Sequence, residues 1–438
     1  MTQLLSSKDI FKIALPIMLS NVSTPLIGVV DTVIIGQTPD PSLIGAVAVS
    51  ALIFTFVFWA FGFLRMGTTG LTAQAVGAEN KDEIIASLGR SLLLASTIGV
   101  ILIVLQQPIA HVAFSLLGAS ENVELSASEY FDIRIWSAPA TLINYVILGW
   151  LIALGKSKQA LLLQLTLNCS NMVLDALFVL ALDYGVPGVA WGTLISEYFA
   201  AALGFSLVFR AQQTLGGRWD LSIILDGKKI RRNLTVNVDI MIRSLALILI
   251  FTWFTASGAR MGDLTLAANA VLLHFMSVSA YFLDGIAVAS EKFVGEAFGR
   301  RSREFFIRSC KLTTAWAVAI AATISIFLLL TGEDIVNFIT VDEDVRAMAH
   351  EYVIFAALTP IIGVWCFQLD GIFIGATAAD KMRNSMLLST TLFFLTWYLL
   401  QSWGNLGLWI AFVCHFIYRA LTLSFQFPSV SRSVESAA

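Results

Sequence analysis

The chain has 438 residues, of which 57% are hydrophobic and only 13% charged, against roughly 25% charge in an ordinary soluble domain. A soluble core of this length needs a polar shell that so few charges cannot make, which excludes a soluble enzyme, a nucleic-acid binder and a disordered chain. With a mean hydropathy of +0.81 and a net charge of −3, the class that remains is an all-α polytopic membrane protein.

A helical span needs about 20 mostly apolar residues. Twelve such stretches are predicted, at about 12–36, 43–72, 91–117, 129–154, 161–182, 188–210, 238–262, 266–297, 312–332, 350–376, 384–402 and 407–426. The first carries Pro16, Pro25 and Asp31 and is followed by no small-residue cleavage site, so it reads as a span rather than a leader. Of the 27 Lys and Arg, 20 fall in the N-terminus, the even-numbered loops and the C-terminus, and only Arg260 and Arg346 lie on the opposite side. By the positive-inside rule both termini are then cytoplasmic, which requires an even number of spans. The longest and most basic connection, 211–237, divides the chain into an N-terminal six-helix lobe, 1–210, and a C-terminal lobe with a short tail, 238–438. Cys169, Cys310, Cys366 and Cys414 fit no metal or redox spacing and read as core residues, and the polar tail after Pro428 reads as frayed.

A shift of 222 residues brings the halves into register. Ala75-Val76-Gly77 falls on Ala297-Phe298-Gly299, Ala48-Val49 on Ala270-Val271, Gly36 on Gly258, and Gly149 on Gly371. Near the end the shift becomes about 219, pairing Gly185 and Gly188 with Gly404 and Gly407. A nearly constant offset over half the chain marks a duplication. Six spans per half make the repeats parallel, related by a pseudo-two-fold axis along the membrane normal. Transporters are often built this way, with the substrate held where the halves meet and access alternating.

Several segments then carry a resemblance. They are Val29-Val30-Asp31-Thr32 with Gly36, Asn171 with Asp175, Gly188-Val189-Ala190-Trp191-Gly192-Thr193, Leu283-Asp284-Gly285 with Glu291, Gly295-Glu296, and Leu369-Asp370-Gly371 with Gly375. In order and spacing the chain resembles the MATE family, the multidrug and toxic compound extrusion transporters, and its DinF-like branch in particular. The resemblance covers essentially the whole chain. It implies cation-coupled efflux of organic, often cationic, drugs, driven by protons or by sodium, without an enzymatic step or a bound cofactor. It also implies an inner-membrane protein whose other contacts are membrane lipids, here expected to be a monomer.

A carboxylate at mid-bilayer costs on the order of 2.5–3.5 kcal/mol and survives by pairing, hydration, protonation or ion binding. Asp31 lies about 5 residues, or roughly 8 Å, from the outer end of the first span. Asp175 and Thr193 fall at similar depth in the fifth and sixth spans, and Asn171 precedes Asp175 by one turn on the same face. The resemblance carries the coupling role onto Asp31, Asn171, Asp175 and Thr193, with Na+ at Asp31 and Asp175 as the alternative to a proton. The plainer alternative is a hydrogen-bond network that fixes helix packing. The 222 shift sets Trp253 opposite Asp31 and Trp397 opposite Asp175, so the cluster has no polar counterpart in the other half. A second acidic set, Asp284, Glu291 and Asp370, sits deeper in the C-terminal half, with Lys292 and Arg243 as candidate partners. Pro16 and Pro25 each remove a backbone donor and are expected to bend the first helix below Asp31. Met18, Phe54, Phe58, Trp59, Met66, Tyr145 and Met172 are candidates for an apolar wall against lipophilic cations.

The nearest rival is a lipid-linked oligosaccharide or precursor flippase of a related fold, which would need a cationic cavity. The predominance of embedded acids argues for cationic cargo, while Arg65 and Arg243 keep the rival open. No His-Glu-x-x-His, Walker A or G-x-S-x-G segment points to a membrane enzyme.

Overall fold

Long apolar runs can satisfy their backbone in lipid as helices, and this chain does so throughout. The computed structural model describes residues 5–37, 41–117 and 121–435. The long helices are α1 (Ser7–Ile35), α2 (Gly45–Gly77), α3 (Lys81–Val104), α4 (Val123–Ala153), α5 (Ser157–Ala181), α6 (Gly185–Leu215), α7 (Gly227–Arg260), α8 (Asp263–Gly299), α9 (Arg303–Ile339), α10 (Glu343–Gly375), α11 (Ala379–Leu400) and α12 (Asn405–Ser433). Eleven of these, all but α11, are long and apolar enough to cross a membrane. At 22 residues α11 has the length as well, but Asp380, Lys381 and Arg383 make its first turns polar. The protein is therefore an all-α polytopic membrane protein.

Two expectations are corrected. The third span starts earlier than 91, at Lys81, where the Asn80 side chain accepts the Glu83 N–H at 3.0 Å and caps the helix. A separate helix, Gln106–Leu117, follows Leu105. Between Pro428 and Val434 the chain is not frayed: α12 runs through that proline to Ser433, and Val430 and Val434 are buried, while 436–438 lie outside the described residues.

The chain divides into two compact units, one being Leu19–Leu234 and the other Thr235–Ala438 together with Met1–Met18. In the first, α4 is the central helix, packing on α2, α3 and α6. Its Gly149 lets α2 cross closely, since a Cβ there would lie 2.4 Å from the Arg65 carbonyl oxygen. Pro139 cannot donate to the preceding turn, and α4 passes through a 3-10 turn at Ile135–Ser137 just before it. The connection 211–237 is largely helical and is tied to α3: Lys229 Nζ reaches Glu83 at 2.6 Å, and the buried Arg90 binds Glu83 and the Ile223 carbonyl. Asp220 and Asp226 cap its turns. The Ser222 hydroxyl and the Lys229 N–H respectively hold their carboxyls below the ordinary value.

In the second unit α8, α9 and α10 form one group, and α11 and α12 pack as a pair. Its core is aromatic, with Phe254, Trp409, Phe412 and Phe416 in mutual edge and tilted contacts. The first turns of α1, with Ile10, Ile13, Ala14 and Met18, are buried against Leu283, Ile286, Ala317 and Val364 of this unit.

The duplication is visible in backbone detail inside each unit. Glu79 and Arg301, 222 apart, both hold the left-handed conformation, as do Gly155 and Thr377. Asn80 and Ser302, again 222 apart, cap α3 and α9. The close crossing recurs: a Cβ on Gly371 would lie 2.4 Å from the carbonyl oxygen of Ala287, the counterpart of Arg65. Gly185 and Gly404, 219 apart, have φ of +56° and +58°. The offset changes across α5, which ends in a π-turn, Leu177–Ala181.

Candidate functional site

The site lies within the Leu19–Leu234 unit. A cavity of about 470 Å³ opens among α1, α2, α4, α5 and α6, lined by Asp31, Asn171 and Thr193 together with Tyr130, Arg134, Asn144 and Glu197. A volume of this size is in the usual range for small-molecule pockets, ~300–1,000 Å³.

At its head stand the four residues expected from the sequence. Asn171 donates to the Thr193 hydroxyl at 3.0 Å, and that hydroxyl donates to the Val189 carbonyl at 2.9 Å. Asp175 is fully buried behind this wall, and its carboxyl lies within hydrogen-bonding reach of Asp31. Oδ1 of Asp31, both carboxyl oxygens of Asp175 and Oδ1 of Asn171 are buried without a donor at hydrogen-bond geometry. An unpaired buried oxygen costs about 1–3 kcal/mol, and more when charged. Four such oxygens on three neighbouring side chains favour a proton or a hard cation. Among the described residues, no three His, Cys, Asp or Glu side chains converge as metal ligands. Gly192 makes the arrangement feasible, because a Cβ there would lie 1.9 Å from Asp175 Oδ1.

The sequence reading missed Arg134 and Glu197, which line the same cavity. Arg134, at the last turn of α4 before the 3-10 break, is 9% exposed. Its guanidinium lies over the rings of Phe54 and Phe58, 5.4 Å from each centroid, and 3.8 Å from Glu197. It also binds the Ser137 hydroxyl, and Asn144 holds Glu197 through its carboxylate at 2.8 Å and its carbonyl at 3.0 Å. Glu197 follows Thr193 by four residues, one helical turn on the same face; that spacing was the available signal. Of the expected apolar wall, Phe54, Phe58, Trp59 and Tyr145 line the cavity; Met18, Met66 and Met172 do not.

The other half carries uncharged residues at the equivalent positions. Asp31, Arg134, Asn144 and Glu197 correspond, by the offsets of 222 and 219, to Trp253, Ala356, Cys366 and Phe416. The bond from Asn144 to the Glu197 carbonyl is repeated by Cys366 Sγ to the Phe416 carbonyl, at 3.0 Å in both. Trp253 meets Phe394 edge-on at 5.2 Å, with Trp397 in the same apolar cluster.

The three C-terminal acids do not form one bare cluster. Asp370 is clamped by Arg243 and Arg419 on a single oxygen, all three being buried. Glu291 is buried, and Asp284 is exposed on α8 with Arg243 in electrostatic reach. Lys292 pairs with Glu296 at 2.6 Å. Pro16 is buried and Pro25 exposed, and α1 is helical through both. Cys169, expected in the core, is exposed on α5.

The MatE family profile matches residues 16–177 and 240–399. The chain is 38% identical over 419 residues, 96% of its length and 91% of the relative's, to DNA damage-inducible protein F of Escherichia coli. It is 24% identical over 435 residues, 94% of its length and 90% of the relative's, to the probable multidrug resistance protein NorM of Thermotoga maritima. Among solved structures, MATE in a bent and in a straight conformation superpose with TM-scores of 0.88 and 0.87, each at 20% identity and covering 98% of this chain and 96% of theirs. With the family profile covering most of both halves, the chain belongs to the MATE family of multidrug efflux transporters, a transporter family rather than an enzyme family, and is a relative of DNA damage-inducible protein F.

Proposed function

We propose that this protein is a cation-coupled antiporter, driven by protons, that exports organic and often cationic compounds by alternating access. Asp31 and Asp175 form the coupling site, supported by Asn171 and Thr193. The observation that carries this reading is the group of buried, donor-less oxygens of Asp31, Asp175 and Asn171. Two carboxyls in reach of one another hold a proton between them, which a gradient can load and remove. Sodium held by Asp31 and Asp175 is the competing ion. Pro16 and Pro25 leave backbone carbonyls of α1 without their helical donors, so changing the charge at Asp31 biases this helix between bent and straight forms. The relatives named for bent and straight MATE conformations accord with this. The distribution of Lys and Arg supports a reading in which both termini are cytoplasmic, and the bacterial relatives support an inner-membrane location. The expected lobes 1–210 and 238–438 with linker 211–237, and the monomeric state, belong to the same reading. Asp284, Glu291 and Asp370 serve mainly to hold the C-terminal half together, Asp370 as a partner of two arginines.

The test is efflux of ethidium from proteoliposomes under an imposed pH gradient or an imposed sodium gradient, for the wild type and Asp31→Asn. Efflux driven by pH in the wild type and lost in Asp31→Asn is expected. Unchanged pH-driven efflux in Asp31→Asn would sink the assignment, and transport of lipid-linked sugars without any organic cation would establish the flippase instead.

A further inference from the structure

Arg134 is a cation already seated in the cavity. Two aromatic faces, Phe54 and Phe58, lie 5.4 Å from its guanidinium carbon, and a carboxylate, Glu197, stands 3.8 Å away. Aromatic faces beside a carboxylate are the chemistry that recognises an organic cation. The seat is built rather than incidental: Glu197 is 5% exposed, and Asn144 orients it through two hydrogen bonds. None of this recurs in the other half, where Ala356 and Phe416 occupy the corresponding positions.

We propose that Arg134 is an internal competitor for the cationic substrate, filling the Phe54–Phe58–Glu197 seat while the cavity is empty and leaving it for the Asp31–Asp175 pair when substrate enters. This rests on the proposed antiport and supplies its coupling step. The side chain is tethered next to the 3-10 turn at Ile135–Ser137, and Asp31 and Asp175 both lie within its electrostatic reach. The titratable and charged groups facing it are Tyr130 and Tyr145 from its own helix, Glu197 from α6, Asp175 from α5 and Asp31 from α1; α2 contributes none to the cavity. The charge balances. Before binding, the carboxyl pair shares one proton, Glu197 is ionised and Arg134 is positive. After binding, substrate takes the place of Arg134 at Glu197, Arg134 takes the place of the proton at the pair, and that proton leaves through the cavity. One organic cation enters for one proton released, and the net charge of the cavity is unchanged.

The test uses the purified full chain in detergent, with ethidium as ligand and a pH indicator in weak buffer to count protons released. The wild type is expected to release about one proton per ethidium bound. Arg134→Gln removes the competitor and should bind ethidium about tenfold more tightly while releasing no proton. Glu197→Gln should weaken binding about tenfold or more, and Phe58→Leu should weaken it severalfold. Arg134→Lys keeps the charge, folds if charge alone is needed, and should restore part of the proton release. Unchanged or weaker binding by a folded Arg134→Gln, or full proton release from it, overturns the proposal. If pH-driven efflux depends on Asp31 yet is indifferent to Arg134, the coupling reading stands and the internal competitor falls. A wild type that releases no proton and shows no pH-driven efflux removes both.

Discussion

Asp175 depends on a neighbour that has no side chain. Its Oδ1 fills the volume that a Cβ on Gly192 would occupy at 1.9 Å, so Gly192→Ala must push the carboxyl out of line with Asp31. Because Gly192 is a helix-interior position with ordinary φ, alanine there favours the helix by about 1 kcal/mol, and a failure to fold is not expected. Gly192→Ala should lower pH-driven ethidium efflux at least about tenfold while the melting temperature in detergent changes little; a fully active variant would show that Asp175 need not hold this position. Of the residues proposed for coupling, Asp31, Asn171 and Thr193 line the cavity. A charge in an apolar run and a one-turn spacing made these legible in the sequence. Arg134 and Glu197 were not, because a lone arginine or glutamate within a span reads equally as a topology charge or a packing pair. Only the approach of Phe54 and Phe58 from another helix sets Arg134 apart from such a charge.

At the scale of elements, close helix crossings set where the cavity can be. Gly149 on α4 meets the Arg65 carbonyl and Gly371 on α10 meets that of Ala287, each with a notional Cβ at 2.4 Å. Backbone against backbone cannot yield as a flexible side chain can. Gly149→Leu and Gly371→Leu should therefore both abolish a monodisperse folded protein in detergent, whereas Gly45→Ala, whose nearest neighbour is a Val123 methyl at 3.5 Å, should elute and melt like the wild type. Normal yield and melting of either leucine variant would refute the crossing. The duplication itself was readable from the identity of these glycines and from the 222 offset. The 3-10 break in α4 was not, although Pro139 lay in plain view. The other half carries Pro360 at nearly the corresponding place and α10 remains one helix. A proline removes a donor in both helices; the surrounding packing decides whether the helix breaks or continues through it.

At the scale of the whole molecule, the connection 211–237 is part of a folded unit rather than a loose basic tether. Glu83 joins Lys229 of the connection to Arg90 of α3, and Asp82 accepts the Arg218 N–H at 3.0 Å. Glu83→Gln leaves the buried Arg90 short of its counter-charge. Limited trypsin digestion should then cut within 211–237 several times faster than in the wild type, with efflux retained; an unchanged cleavage rate would show that the clamp does not hold the segment.

The sequence by itself determined the class, the number of long helices, the duplication and the first carboxylates to suspect. These follow from quantities summed along the chain: apolar length, a constant offset, and the cost of a charge in lipid. Tertiary structure alone decided which polar groups meet. It joined Asp31 on α1 to Asp175 on α5, set Arg134 between two rings of α2 and Glu197 of α6, and gave Asp370 to two arginines rather than to an open acidic site. These are contacts between residues far apart in sequence, and their energies depend on distance and burial, which only the packed helices set.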